Sequence, residues 1–137
     1  MKKICVVVAS RANYGRVKSC LFGIDKNENL ELQLIVSASA LLDKFGAAHN
    51  VIESDGFVIN KKLQYLIEGE NLITQAKSTG LGIIELSSAF EELKPDAVIT
   101  VADRFETMST AIAASYMNIP LIHIQGGEVS GNIDDKV

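Results

Sequence analysis

The sequence predicts an α/β fold, an open parallel sheet with helices on both faces, and three observations carry that prediction. Short runs rich in Val, Ile and Leu recur along the chain, without the apolar-polar alternation of a strand that has one face in water. Between them lie stretches whose apolar residues repeat at helical spacing. Turn residues such as Asp55-Gly56 and Asn118-Ile119-Pro120 punctuate the chain. An alternation of this kind builds a sheet that places its sites beyond the carboxyl ends of the strands. The 137 residues suffice for one domain with a real core and fall short of two.

The elements follow in order. Residues 3–9 and 30–37 read as strands buried on both faces, and residues 14–25, with Val17, Cys20, Leu21 and Ile24 at helical spacing, as the helix between them. That unit implies a parallel, right-handed crossover. A second helix is expected over residues 40–54, interrupted near Gly46, and a shorter strand over residues 57–63. Asn71 suits the cap of a long helix whose apolar face runs Leu72, Ala76, Ile83, Phe90 and Leu93, weakened locally by Gly80 and Gly82 and ended by Lys94-Pro95-Asp96. A strand over residues 97–101, a helix over residues 105–117 and a last strand over residues 121–124 complete the alternation. Asn132-Ile133-Asp134-Asp135 resembles a helix start, with acids in its first turn, so the expectation is a chain cut within a longer protein.

Composition narrows the function. A net charge of -4 and a pI near 5.1 oppose a phosphate-backbone partner, which needs a basic surface, so no nucleic acid is expected. No apolar run approaches the roughly 20 residues that span a bilayer. The basic, apolar N-terminus imitates a signal peptide, but Arg11 cuts the run short and no small-residue cleavage site follows. Cys5 and Cys20 lack the spacing of a metal site or redox pair and read as buried thiols in a reducing cytoplasm. Neither a metal nor another cofactor is expected.

Three segments carry candidate chemistry. Ser10-Arg11-Ala12-Asn13-Tyr14-Gly15-Arg16 follows the first strand and opens a helix, where backbone amides and two guanidinium groups suit a phosphate or carboxylate. It is neither a Walker A loop nor G-x-G-x-x-G, and arginines that merely solvate a loop fit the same pattern. Asp103-Arg104, with Glu106 close behind, follows the strand over residues 97–101; Asp103 suits acid/base work in a crevice and equally suits a helix cap. His123-Ile124-Gln125-Gly126-Gly127-Glu128 follows the last strand, and its paired glycines permit close approach of a ligand to the backbone. His123 reads as a packed, hydrogen-bonded side chain rather than a metal ligand. Asp103, Glu128, Asp134 and Asp135 together form a set of acids able to divide proton removal from proton delivery.

Taken in order, Ser10 to Gly15, Ala102 to Glu106, and His123 to Gly131 through Ile133-Asp134-Asp135 resemble the hydrolysing UDP-N-acetylglucosamine 2-epimerases. The resemblance spans essentially the whole chain. It implies the Rossmann-like N-terminal half of a glycosyltransferase-B-type fold, with residues 1–137 as the N-terminal domain and a separate C-terminal UDP-binding domain. It also implies an Arg-His pair shortly after Asp134-Asp135. The implied reaction converts UDP-N-acetylglucosamine and water to N-acetylmannosamine and UDP, supplying sialic-acid-type biosynthesis in the cytoplasm. A base removes the C2 proton, UDP leaves to give a glycal, and water adds as C2 is reprotonated on the other face. The intact enzyme is expected to be a homo-oligomer, and this piece alone to be inactive.

By motif position, Asp103 and Asp134 resemble the family's proton-transfer acids. Arg11 and Arg104 resemble the arginines facing the phosphates or the reacting sugar, and Arg16 falls where relatives carry a basic residue. Asn13, Gly15, Gly126 and Gly127 complete the implied substrate-binding set. Gln125 stands where many relatives have glutamate, and an amide does not exchange a proton as a carboxylate does, which turns attention to Glu128. Ala102 replaces a usual glycine and Asn13 a frequent aspartate. Both departures point to a different UDP-amino sugar. A transferase with the same kind of half-cleft, or a non-catalytic binding domain, remains the alternative.

Overall fold

The computed structural model describes residues 1–37, 41, 48–65, 71–101 and 105–124. Five strands, β1 (Lys2–Val8), β2 (Leu30–Ser37), β3 (Lys61–Leu63), β4 (Ala97–Val101) and β5 (Leu121–Ile124), form one sheet in the order β3-β2-β1-β4-β5. Every pairing is parallel. Four helices connect them: α1 (Arg11–Lys26), α2 (Ala48–Ser54), α3 (Leu72–Leu93) and α4 (Phe105–Tyr116). The α/β reading of the sequence is therefore correct.

The central strands are largely apolar because each face has its own core. Val6 and Val8 of β1, Leu34 and Val36 of β2, and Ile99 and Val101 of β4 pack with Tyr14, Val17, Leu21 and Ile24 of α1 and Ile52 of α2. The alternate residues, Cys5, Val7, Ile35 and Val98, pack with Leu86, Ala89 and Phe90 of α3 and Ala113 and Ala114 of α4. The period of two along each strand thus feeds two cores at once. Chain direction across the sheet reverses after β3, so β4 returns to the free side of β1.

Helix ends explain the first departure from the expected boundaries. The first helix begins at Arg11 rather than residue 14, because Ser10 adopts extended backbone and its Oγ accepts the Asn13 N–H at 3.1 Å. The strand expected over residues 57–63 shortens to Lys61–Leu63. Phe57 instead closes α2, donating its N–H to Ile52, and packs in the core against Phe22. Asn60 then sets the register, its Oδ1 accepting the Leu34 N–H and its own N–H reaching the Leu34 carbonyl. The second helix is described from Ala48, and the expected interruption at Gly46 lies outside the described residues.

The long helix α3 is capped by Asn71 as expected, with Oδ1 accepting the Thr74 N–H at 3.0 Å. Its buried face agrees with the expected one at Phe90 and differs toward the amino end. Leu72 and Ala76 are exposed, whereas Ser78, Gly82, Leu86, Ala89 and Phe90 face inward. The reason is close approach to α4: a Cβ on Gly82 would stand 2.7 Å from Ser109 Oγ and 2.8 Å from Tyr65 Cε2. Ser109 Oγ donates to the Thr79 carbonyl at 2.9 Å, so the two helices touch through small polar side chains and backbone. Gly82 is a packing requirement rather than a local weakness. Asp96 ties the end of this helix to the sheet, its carboxylate accepting the Lys3 N–H and its own N–H donating to the Lys3 carbonyl.

Tyr14, Lys18 and Asp55 pin α1 to the turn after α2. The buried Tyr14 hydroxyl donates to the Asp55 carboxylate, and Lys18 Nζ lies 3.1 Å from the same group. Burial, then the hydrogen bond to Asp55, pushes the Tyr14 phenol far above its ordinary range. The hydrogen bond from Tyr14, then that from Lys18, holds Asp55 below the usual carboxylate range.

Two outcomes are expected. Gly82→Ala should destabilise the protein by about 1–3 kcal/mol through overpacking against α4, read as a lower denaturant midpoint with unchanged slope. Because the Asp55 pKa is depressed in the folded state, its contribution is present above the unfolded value and lost as pH falls through the folded one. Asp55→Asn should therefore melt below the wild type at neutral pH, and the gap should close on acidification below the ordinary carboxylate range.

Candidate functional site at the carboxyl rim

The reversal of strand order falls between β1 and β4, and in open parallel sheets a crevice forms outside the carboxyl ends at such a point. Register shows how level that rim is. Val101 and Ile124, the last residues of β4 and β5, are direct partners. The pairing of Val6 with Ile99 places the end of β1 beside them. The chain segments that follow β1, β4 and β5 therefore leave adjacent strands at one height. These are the three segments in which the sequence concentrates candidate chemistry.

The first segment is described in full. Ser10 caps α1, and Asn13, 3% exposed, returns its Oδ1 to the Ala9 N–H at 3.1 Å. This reciprocal lock is a close variant of the capping box and fixes where the helix N-terminus points. Asn13 was expected to bind substrate; its carbonyl oxygen is engaged in shaping the turn. Arg11 is exposed at the first helical position, beside the unsatisfied amides and positive end of the helix dipole. Arg16 is also exposed, but five residues along a helix rotate it by about 140°, so the two guanidinium groups do not share a helix face. Gly15 is exposed, and among the described residues a Cβ there would meet nothing within 4 Å.

The second segment follows β4. Val101 is buried at the end of the strand, and Thr107 Oγ1 in the first turns of α4 reaches its carbonyl at 3.4 Å. The candidate residues Asp103 and Arg104 lie outside the described residues, as do Gln125, Gly126, Gly127, Glu128 and Asp134 of the third segment. His123, expected to be packed, is exposed on β5, which is the outer strand on that side of the described sheet.

The other face of the same rim is lined by Ser37 and Tyr65, which sequence reasoning missed, and by Glu106, which it noted only as a neighbour of Asp103. Ser37, the last residue of β2, is fully buried with its Oγ 3.4 Å from the Tyr65 hydroxyl. Tyr65 and Glu106 are buried too. Leu63 and Tyr65 share a face by the two-residue period of an extended chain, which is the signal that pointed Tyr65 inward. Burial pushes the Cys5 thiol up to about 12, so it is no nucleophile at neutral pH. Among the described residues no group of three His, Cys, Asp or Glu is placed to hold a metal ion, and no helix is long and apolar enough to cross a membrane.

Comparison with known proteins gives this rim a context. The chain is 38% identical over 137 residues to the GDP/UDP-N,N'-diacetylbacillosamine 2-epimerase (hydrolyzing) of Campylobacter jejuni, covering 99% of the chain and 35% of that relative. It is 37% identical over 138 residues to the polysialic acid biosynthesis protein P7 of Escherichia coli, covering 100% of the chain and 35% of the relative. The chain thus spans about a third of the length of the curated relatives it matches. The fold resembles a crystal structure of UDP-N-acetylglucosamine 2-epimerase with a TM-score of 0.82 at 19% identity, covering 98% of this chain and 38% of that one. It also resembles the Neisseria meningitidis UDP-GlcNAc 2-epimerase bound to UDP-GlcNAc, with a TM-score of 0.79 at 20% identity, covering 96% of this chain and 34% of that one. The profile of one family, described as UDP-N-acetylglucosamine 2-epimerase, matches residues 23–137, and with the relatives that cover the chain from end to end it establishes that the chain belongs to that family.

Proposed function

We propose that this chain forms the N-terminal half of a hydrolysing 2-epimerase acting on a UDP-amino sugar, with a second, UDP-binding domain completing the cleft. The observation that carries the reading is the level rim at the strand reversal, from which the three motif-bearing segments depart side by side. Family membership supports it independently.

In this reading the diphosphate is held by cations and helix-end amides. Arg11 at the start of α1 and Arg104 after β4 supply charge, with Arg16 on the flank of α1 and the amides near Gly15, Gly126 and Gly127 completing the cradle. Asn13 contributes through the turn it holds. Asp103 and Asp134 divide the proton work at C2, one removing the proton and the other returning one on the opposite face. Gln125 orients the sugar by hydrogen bonding, and Glu128 is the further acid of that loop. The C2–H bond breaks as UDP departs with the electron pair of the anomeric C–O bond, giving a glycal. Water then adds at the anomeric carbon as C2 is reprotonated. Neither a metal nor another cofactor enters these steps.

UDP-N-acetylglucosamine yielding N-acetylmannosamine for sialic-acid-type synthesis is the first substrate assignment, in keeping with the relative named for polysialic acid biosynthesis. A second assignment, UDP-N,N'-diacetylbacillosamine, is favoured by the relatives named for that sugar, at 38% and 32% identity, against 29% for the Neisseria meningitidis UDP-N-acetylglucosamine 2-epimerase. The cytoplasm suits two free thiols, Cys5 and Cys20. A homo-oligomeric intact enzyme belongs to the same reading.

The test is product analysis by NMR after incubating the full-length protein with each UDP sugar. Free 2-epimerised amino sugar plus UDP is the expected outcome, whereas sugar appearing on an added acceptor would make the protein a transferase. Asp103→Asn should lower kcat by about 10²–10⁴-fold with the fold intact, as loss of a proton-transfer group does; unchanged turnover would remove Asp103 from the mechanism. The isolated piece should show no turnover, since one wall of a cleft neither encloses the sugar nor excludes water.

A further inference from the structure

A buried polar seam runs beneath the rim on the face covered by α3 and α4. Ser37 closes β2 with its Oγ against the Tyr65 hydroxyl, and Tyr65 in turn packs over Gly82 of α3. Glu106, in the first turn of α4, is 1% exposed. It lies near enough to Tyr65 that its charge adds to burial in pushing the phenol up to about 12, against the opposing hydrogen bond with Ser37. Beside it, Thr107 reaches the Val101 carbonyl and Ser109 the Thr79 carbonyl. Polar contacts thus join β2 to Tyr65, β4 to α4 and α3 to α4, with Glu106 buried in the first turn of α4.

A carboxylate removed from water is costly unless its surroundings are polar and fixed, and a leucine of similar volume would fill the same place without that cost. The position of Glu106 at the amino end of α4 offsets part of it, since the helix dipole favours negative charge there. The arrangement is rigid because Gly82 leaves no slack between α3, Tyr65 and Ser109. In sequence, Asp103 and Arg104 immediately precede this helix.

We propose that Glu106, buried in the first turn of α4, is a positioning residue that fixes the amino end of that helix and thereby the origin of the segment bearing Asp103 and Arg104. The catalytic part of this inference rests on the epimerase reading above; the structural part does not. Glu106 itself touches no substrate. It acts by holding the place from which the reacting groups are presented, where a displacement of about 1 Å costs on the order of 10²-fold in rate.

The experiment uses the full-length protein with Glu106→Gln, which keeps volume and removes charge, and Tyr65→Phe, the milder change. Amide hydrogen exchange over residues 105–110 is measured beside kcat and KM for whichever UDP-amino sugar the wild type hydrolyses. In Glu106→Gln, exchange over 105–110 should rise about tenfold or more while amides of α1 keep their protection, a local rather than global opening. Turnover should fall about tenfold or more with KM within about threefold, the mark of an interaction expressed in the transition state. Tyr65→Phe should move both quantities in the same direction by less, and it decides the matter alone should Glu106→Gln fail to fold. Unchanged exchange over 105–110, or a uniform rise across all helices with turnover falling only as the folded fraction does, would overturn the proposal. A wild type that hydrolyses neither UDP sugar defeats the epimerase reading, and the exchange result then judges Glu106 by itself.

Discussion

Because β1 is covered on both faces, its alternate residues must serve two cores at once, Val6 and Val8 on one side and Cys5 and Val7 on the other. The rest of the molecule follows from this double burial. Helices must be supplied to each face, α1 and α2 to one and α3 and α4 to the other, and parallel strands leave their connections no shorter route. The chain builds outward from β1 to β3, then returns to add β4 and β5 on the opposite side. That return sets the switch point between β1 and β4 at which open parallel sheets form a crevice.

Local chemistry then decides what the crevice presents. Ser10 and Asn13 close the β1–α1 turn by exchanging hydrogen bonds with backbone amides, so the start of α1 and the exposed Arg11 are held by the buried turn rather than by a ligand. On the α4 side, Thr107 and Glu106 give the helix start an equally buried footing. Preorganisation of this kind would serve the epimerase reaction proposed above, in which charge develops on a departing diphosphate, since donors already in place cost no reorganisation when the bond breaks.

Much of this was legible in the sequence, and the exceptions have physical causes. Double burial made the strands easy to read, because runs such as Ile4 to Val8 carry no polar residue at all. Asn71 announced its helix because a side-chain amide before an apolar run is a strong cap. The inward face of α3 was read correctly at Phe90 but misread toward its amino end, because a search for periodic large apolar residues passes over Ser78 and Gly82, whose value lies in being small. The start of α1 was placed three residues late because Ser10 and Asn13 were weighed as ligand groups, not as the lock they form. Of the site, the first segment was found and its geometry only partly foreseen. Tyr65 and Ser37 were missed, and Glu106 was noted only as a neighbour of Asp103, because they come from separate parts of the chain that only the sheet order brings to one face.

The glycine contact between α3 and α4 has a mechanical corollary. With Ser109 lying against the backbone at Gly82, neither helix has room to slide along the other, since any shear would drive side chain into main chain. In the two-domain epimerase proposed above, enclosing a sugar nucleotide needs some part to travel, and this helix pair would stay whole while doing so. Under that proposal, closure would be a hinged swing of one intact body toward another, with the bending confined to the linkers between them.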